Sequence, residues 1–406
     1  MTPDLVLLGN LLVDDIVYAD GSTRMAQPGG AMLYSSLAAT LWGARTGCVS
    51  VQGDDYPQTM LDTLRDRGVQ LDGVRRLGRN GIRTWLLYEG TLRRVVHRLG
   101  CPTHAEVSPV PDGVPLAWRR ARAFHLAPMP LATQAALVRA IRTWEDPAAP
   151  AFVSVDPYVL VTPETLADWR TMLADVDAFF PSEDEMLLPG VTDEPARVLA
   201  TLASGRLRFV FSKRGDKGGV VLHVPEGHVH EWPAVTPATV EPTGAGDSFM
   251  AGFVTALLEG LTIDEALRRG SITAGFAIAG IGPAGLLNAT RERADALLDA
   301  AHDLVGRAHG RRARQEGLDL GDRGGVAEAV QCASHVLELD GTDQGRDELH
   351  GATSCWPAAV CHWAAGGQPA GTLRSDYTVA GERALTTLPT RLVRRSPVAI
   401  VCCQIE

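Results

Sequence analysis

Glu241-Pro-Thr-Gly-Ala-Gly-Asp247-Ser-Phe-Met-Ala-Gly-Phe253 is the stretch that decides how this chain reads. A turn of small residues runs straight into a helical pattern. Gly244, Ala245 and Gly246 carry almost no side chain, so their successive backbone N–H groups can face one point at the helix start. Such a point is partly positive and binds anions. In phosphoryl transfer the same donors hold the charge that spreads over the moving group. Asp247 falls in the first turn, where the helix dipole favours its ionised form. An ionised carboxylate beside a hydroxyl accepts or orients its proton. A bare glycine turn before a capped helix looks similar over four residues. Thr243, Ser248, Phe249 and Ala251-Gly252 make the longer string more specific.

Upstream of that string the chain alternates short apolar runs with helix-length segments. Strands are expected at Leu5–Gly9, Gly47–Val51, Ala123–Leu126, Ala151–Asp156, Ala178–Pro181 and Phe209–Ser212. Unbroken apolar runs bounded by turn residues suit a sheet covered on both faces. Helices are expected at Gly30–Leu41, Gln58–Arg67, Ala132–Trp144, Pro163–Ala174 and Pro195–Ala203. Three more follow at Ala245–Leu258, Thr262–Ala279 and Arg291–Leu304. This order predicts a doubly wound α/β fold. Two stretches break the pattern. Ile16–Ala26, around Asp20-Gly21, reads as a hairpin with a type I′ turn. Ile82–Tyr88 and Arg93–Leu99 read as a second strand pair. Together they make either a small lid over the strand ends, excluding water, or two separate surface hairpins.

With these elements in place, the 241–253 string resembles the C-terminal signature of PfkB/ribokinase-like kinases, D-[TP]-T-G-A-G-D-x-F. The resemblance implies a ribokinase-like doubly wound sheet with helices on both faces and a small β lid. It implies phosphorylation of a hydroxyl on a small sugar or polyol, with ATP as donor and Mg2+ as cofactor. By position, Asp247 becomes the base and Gly244, Ala245 and Gly246 the anion hole, with Thr243 on the nucleotide side. Glu241 replaces the family's leading Asp with a carboxylate one methylene longer, so its role in holding an ion or a loop is less firmly carried over. Gly29-Gly30 before a helix is similar to the family's N-terminal signature, where backbone donors meet substrate hydroxyls. Tyr34 stands where the family usually has an Asn that binds a sugar hydroxyl, which argues against ribose-type specificity.

Further matches fill in the implied site. Gly9-Asn10-Leu-Leu-Val-Asp14 resembles the family's first strand, which implies that Asp14 contacts substrate hydroxyls, with Asn10 at the same strand end. Asp15 is the competing loop acid, and Asp156 ends another strand that would line the same crevice. Ser182-Glu-Asp-Glu185 resembles the family's N-x-x-E motif, which places Mg2+ through water; Glu185 matches and Ser182 departs. Lys213-Arg-Gly-Asp-Lys-Gly218 resembles the hairpin beside the nucleotide, implying Lys213, Gly215 and Gly218 as nucleotide contacts. The resemblance leaves a nucleoside kinase and a myo-inositol kinase open as alternatives, and a non-catalytic ligand-binding descendant as a third. His97, His104 and His125 receive no role.

Composition sets the outer limits. The 406 residues carry a net charge of −10, so no global basic field exists to hold nucleic acid or an anionic membrane. Nor does an apolar run long enough for a membrane span occur, and no Walker A string is present. The N-terminus reads as a first strand and not as a signal peptide. Few cysteines in the first three quarters suit a reducing cytoplasm. Residues 1–306 form the expected kinase domain, with the lid from about 11–28 and 81–99. Residues 307–406 hold five of the seven cysteines and no sustained alternation, and read as an extension outside the catalytic fold. A monomer and a homodimer are both compatible with the lid edge.

Overall fold

The computed structural model describes residues 1–89, 92–235 and 239–301. The expected extension at 307–406 lies outside the described residues.

Among the described residues thirteen strands form in chain order: β1 Leu5–Leu8, β2 Leu12–Val17, β3 Thr23–Gly29, β4 Thr46–Gln52, β5 Gln70–Arg76, β6 Arg83–Glu89, β7 Leu92–His97, β8 Ala123–Leu126, β9 Phe152–Val155, β10 Ala178–Phe179, β11 Phe209–Lys213, β12 Gly219–His223 and β13 His228–Trp232. The helices are α1 Ala31–Leu41, α2 Gln58–Asp66, α3 His104–Val107, α4 Leu131–Trp144, α5 Leu166–Leu173, α6 Pro195–Leu202, α7 Ala245–Leu258, α8 Ile263–Ile278 and α9 Ala284–Leu287. A further helix occupies 291–301.

The main sheet runs β13-β12-β11-β10-β9-β8-β1-β4-β5. All neighbours from β11 to β5 are parallel, and β12 and β13 are antiparallel. Side chains of β1 alternate between two cores: Leu5 and Leu7 pack with α1, α7 and α8, Val6 and Leu8 with α4, α5 and α6. Burial on both faces explains why the sequence of β1 is an unbroken apolar run. The chain builds outward from β1 to β4 and β5, then returns on the other side through β8, β9 and β10. The sheet therefore switches direction at β1/β8, where open α/β sheets place their ligand crevice.

The second sheet, β3-β2-β6-β7, is the expected lid. The two strand pairs join edge to edge through parallel β2/β6 pairing, with Asp14 opposite Thr84. They are therefore one four-stranded sheet, not separate hairpins. The β2–β3 turn departs from expectation. Only Gly21 has positive φ (83°), Tyr18 C=O accepts from Gly21 N–H, and Tyr18 N–H donates to Ser22. That is a three-residue loop with glycine in the left-handed position, not a type I′ turn. A register shift between Asp14 and Ile16 marks a bulge on β3 opposite Asp15: Asp14 faces Gln27 and Ile16 faces Arg24, so the extra residue lies at Met25–Ala26, where Ala26 has φ 55°.

Sequence reading also passed over β5, β12 and β13. β5 is a polar edge whose Arg75 and Arg76 are exposed, so it shows no apolar run. β12 and β13 extend the edge by antiparallel pairing after a tight turn.

Candidate active site

Gly244 is the pivot of the site. It caps α7 in the left-handed conformation, φ 81° and ψ 1°. A Cβ there would lie 2.1 Å from the Tyr34 ring, so the glycine turn and α1 are in direct contact. Tyr34 is 2% exposed. Its phenol is pushed well above its ordinary value by burial, then by Glu241, Asp14 and Asp247. The three carboxylates, from the lid, the glycine turn and α7, thus all act on one phenol.

Asp14 lies against the paired glycines: a Cβ on Gly29 would come within 2.0 Å of Asp14 Oδ2. Gly30, φ 95°, leaves no room either, because a Cβ would meet Asn10 O at 2.3 Å. The Gly29-Gly30 pair therefore exists because lid, strand end and helix start meet there. Asp15 is the structural member of its pair. It is fully buried, takes two hydrogen bonds from Arg83 at 2.7 and 2.8 Å, and accepts from Ala26 N–H at 2.8 Å. Burial pushes its carboxyl up, but Arg83 and Ala26 outweigh that and hold it low.

On the other side of Asp247 stands Lys213. Its Nζ is 2.9 Å from Asp156 Oδ1, and a Cβ on Gly246 would come within 3.1 Å of Nζ. The ammonium therefore stands over the first turn of α7. Burial drives Lys213 down, but Asp156, Glu185 and Asp247 together hold it above its ordinary value. The acids pay the complementary cost. Burial, partly offset by Lys213, pushes Asp156 up to about 6 and Glu185 up to about 7. Glu185 folds back so that its Oε2 accepts from Ser182 N–H at 2.6 Å. Lys213 N–H in turn donates to Pro181 O, which locks the Ser182–Glu185 turn beside the lysine.

Not every expected residue converges. Gly218, φ 76°, is required because a Cβ would strike Trp232 O at 1.9 Å, a need of the sheet and not of a ligand. Gly215, φ 57°, faces open space. Glu241 is 2% exposed and uses both oxygens: Tyr88 Oη donates to one at 3.3 Å and Gly282 N–H to the other at 2.7 Å. It braces the lid against the loop after α8. Among the described residues no group of three metal-ligating side chains forms.

Three histidines gain places that sequence reasoning missed. His125 is fully buried in β8, with Nδ1 2.9 Å from Ser154 Oγ and Nε2 3.5 Å from Asp156 Oδ2. Burial, then Lys213, drives it down to about 3, so it is a neutral strut behind the Asp156–Lys213 pair. Asn10, His104 and His97 form a hydrogen-bonded row beneath the lid. A lone histidine in the sequence carries no signal of such a row.

The glycine turn, its cation and the acids around it match a known family over most of the described chain: the pfkB family carbohydrate kinase model fits residues 4–289. The chain belongs to the pfkB family of carbohydrate kinases. This kinase is 27% identical over 275 residues to the cytidine kinase of Thermococcus kodakarensis, covering 66% of this chain and 93% of that protein. It is 27% identical over 279 residues to a fructokinase of Escherichia coli, covering 65% and 88%. The structure of Arabidopsis thaliana ribokinase complexed with ribose and ATP aligns with a TM-score of 0.55 at 20% identity, covering 73% of this chain and 99% of that one. That likeness bears out the ribokinase-like α/β fold. Family membership makes the chain an ATP-dependent phosphotransferase. Among the described residues no helix is long and apolar enough to cross a membrane.

Proposed function

We propose that the protein transfers the γ-phosphoryl group of ATP to a hydroxyl of a small sugar, polyol or nucleoside, with Asp247 as the base. One observation carries this: Asp247 follows, in the first turn of α7, two glycines whose positions abut the Tyr34 ring at Gly244 and the Lys213 ammonium at Gly246. A single carboxylate thus joins the hydroxyl-binding side to the phosphate side. The relatives' names fit both acceptor classes, since one is a cytidine kinase and another a fructokinase.

In this mechanism Asp14 and the Gly29-Gly30 backbone hold the acceptor under the lid. Asp247 orients the reacting hydroxyl and takes its proton. The N–H groups of Gly244 and Gly246 and the Lys213 ammonium hold the charge on the transferring group, while the Ala245 N–H donates to Pro242 O at 3.4 Å. Thr243 and Gly215 belong to the nucleotide side. Mg2+, held through Glu185 and water, would neutralise phosphate charge when bound. We assign residues 1–306 to the catalytic domain and the protein to the cytoplasm.

Asp247→Asn tests the reading. The fold and ATP binding should persist, while kcat falls at least ~100-fold, the lower end of general-base effects. Turnover equal to wild type would remove Asp247 from the base role.

A further inference from the structure

A second polar cluster stands at the same strand ends, and phosphoryl transfer uses none of its rings. Asn10 follows β1, His104 opens α3, His97 ends lid strand β7, and Tyr158 lies just beyond β9. Asn10 Nδ2 donates to His104 Nδ1 at 2.9 Å. His104 Nε2 is 3.3 Å from His97 Nε2, and His97 Nδ1 is 3.4 Å from Thr84 Oγ1. The His104 ring lies edge-on to His97 at 5.0 Å and tilted against Tyr158 at 4.7 Å.

The first bond sets the rest. Because His104 accepts at Nδ1, its proton sits on Nε2 and is donated to His97, whose own proton points to the Thr84 hydroxyl. Both rings are neutral: burial, then His97, pushes His104 down to about 4, and burial lowers His97. Every ring nitrogen in the row is satisfied. One atom is not: Asn10 Oδ1 is buried without a hydrogen-bond partner, in a residue 4% exposed. A buried acceptor in that state calls for a donor. The row also shares walls with the acceptor contacts, since Thr84 pairs with Asp14 in the lid and the Asn10 carbonyl abuts Gly30.

We propose that Asn10, His97, His104 and Tyr158 form a specificity subsite that takes the neutral planar ring of a nucleoside, whose N–H or NH2 group donates to Asn10 Oδ1. Phosphate or carboxylate finds no cation among these four side chains. Aromatic walls favour a flat partner. A bare sugar or cyclitol would leave them uncovered. The inference rests on the kinase reading above, with the sugar part of the nucleoside on Asp14 and its hydroxyl at Asp247.

The test uses the full chain in calorimetry and initial-rate assays with cytidine, uridine, ribose, fructose and myo-inositol. Cytidine or uridine should bind and drive ATP consumption. The pyrimidin-2-one riboside, which lacks both the exocyclic amine and the ring N–H, should bind at least about tenfold more weakly than cytidine. His104→Leu, which keeps bulk and loses the nitrogens, should raise KM for the nucleoside more than it lowers kcat and leave KM for ATP unchanged. If that variant does not fold, the analogue comparison on the wild-type protein decides. An analogue that binds as tightly as cytidine overturns the subsite. So does turnover of ribose, fructose or myo-inositol with no response to nucleosides, and that outcome leaves the kinase reading standing. Nucleoside binding that weakens with the analogue but never consumes ATP supports the subsite and counts against the kinase reading.

Discussion

Lys213→Met keeps the length of the side chain and removes its charge. The perturbation is specific because lysine is scarce here: of 38 basic residues only Lys213 and Lys217 are not arginine. A compact ammonium fits where a planar guanidinium does not, within 2.9 Å of Asp156 and 3.1 Å of the position of a Gly246 Cβ. Losing one preorganised donor at a charge-developing centre costs about 100- to 1000-fold in kcat. That drop is expected, with a smaller change in KM for ATP. Stability should suffer less than the ~3–5 kcal/mol typical of halving a buried ion pair. Asp156 already titrates at about 6 with the lysine present. Without it the carboxyl climbs further and takes up a proton at neutral pH instead of standing charged. A loss of about 2 kcal/mol near pH 6 follows, growing towards pH 8, because a carboxyl whose folded pKa is raised loses its contribution as pH rises through that value. Steady-state kinetics and urea melts at the two pH values measure both effects. Near-wild-type kcat in Lys213→Met would refute the placement of the ammonium at the transferring group. Full activity in Lys213→Arg would refute the argument from size.

Other expectations follow from the same geometry. Gly246→Ala should fold normally, because its Cβ meets only the flexible end of Lys213, yet lose kcat as the ammonium is displaced; thermal melts beside kinetics check it. Gly244→Ala combines a left-handed φ of 81° with a clash into Tyr34, and should lose about 2–4 kcal/mol in denaturant melts. Asp15→Ala strands Arg83 in the lid and should cost about 3 kcal/mol without changing the affinity for ATP, which calorimetry reads. Asp156 and Glu185, with folded values raised to about 6 and about 7, contribute a loss of stability as pH rises from about 4 to about 7, and His125 and His104, lowered to about 3 and about 4, contribute a gain over the same range. Glu185→Gln should remove the Glu185 share, so that stability falls less, or rises more, between about pH 5 and 7 than in the wild type; an unchanged slope would mean that Glu185 is not among the groups titrating.

The glycine turn was legible because its geometry is local. Gly244, Gly246 and Asp247 fall within a single turn at the start of α7, so adjacency in sequence is adjacency in space. The fully buried strands were legible for a related reason, since burial on both faces leaves unbroken apolar runs such as Leu5–Leu8. What stayed hidden depends on pairing between distant segments. β5 is an exposed polar edge strand held by β4. The row from Asn10 through His104 to His97 joins residues 94 and 7 positions apart. The choice between Asp14 and Asp15 was undecidable in sequence, because it turns on what each face of β2 meets: one carboxylate reaches Arg83 and the other Gly29.

The three departures from the family pattern each bear on whether the site is built for catalysis. Glu241 is longer than the expected Asp, and the extra length is used: its two oxygens reach Tyr88 in the lid and Gly282 in the loop after α8. Ser182 lacks an amide, but the feature that matters for Glu185 is the backbone N–H of residue 182, which is retained at 2.6 Å. Tyr34 replaces a small polar residue, and its ring packs on Gly244, a position where any Cβ would collide. A binding descendant freed from catalysis has no need to keep a raised Lys213, a pair of strained carboxylates and a left-handed glycine in register. Strain of this kind costs stability and is retained where chemistry needs it. The substitutions therefore argue for a kinase site that is kept, and two of the three, Glu241 and Tyr34, stand at the lid and the glycine turn.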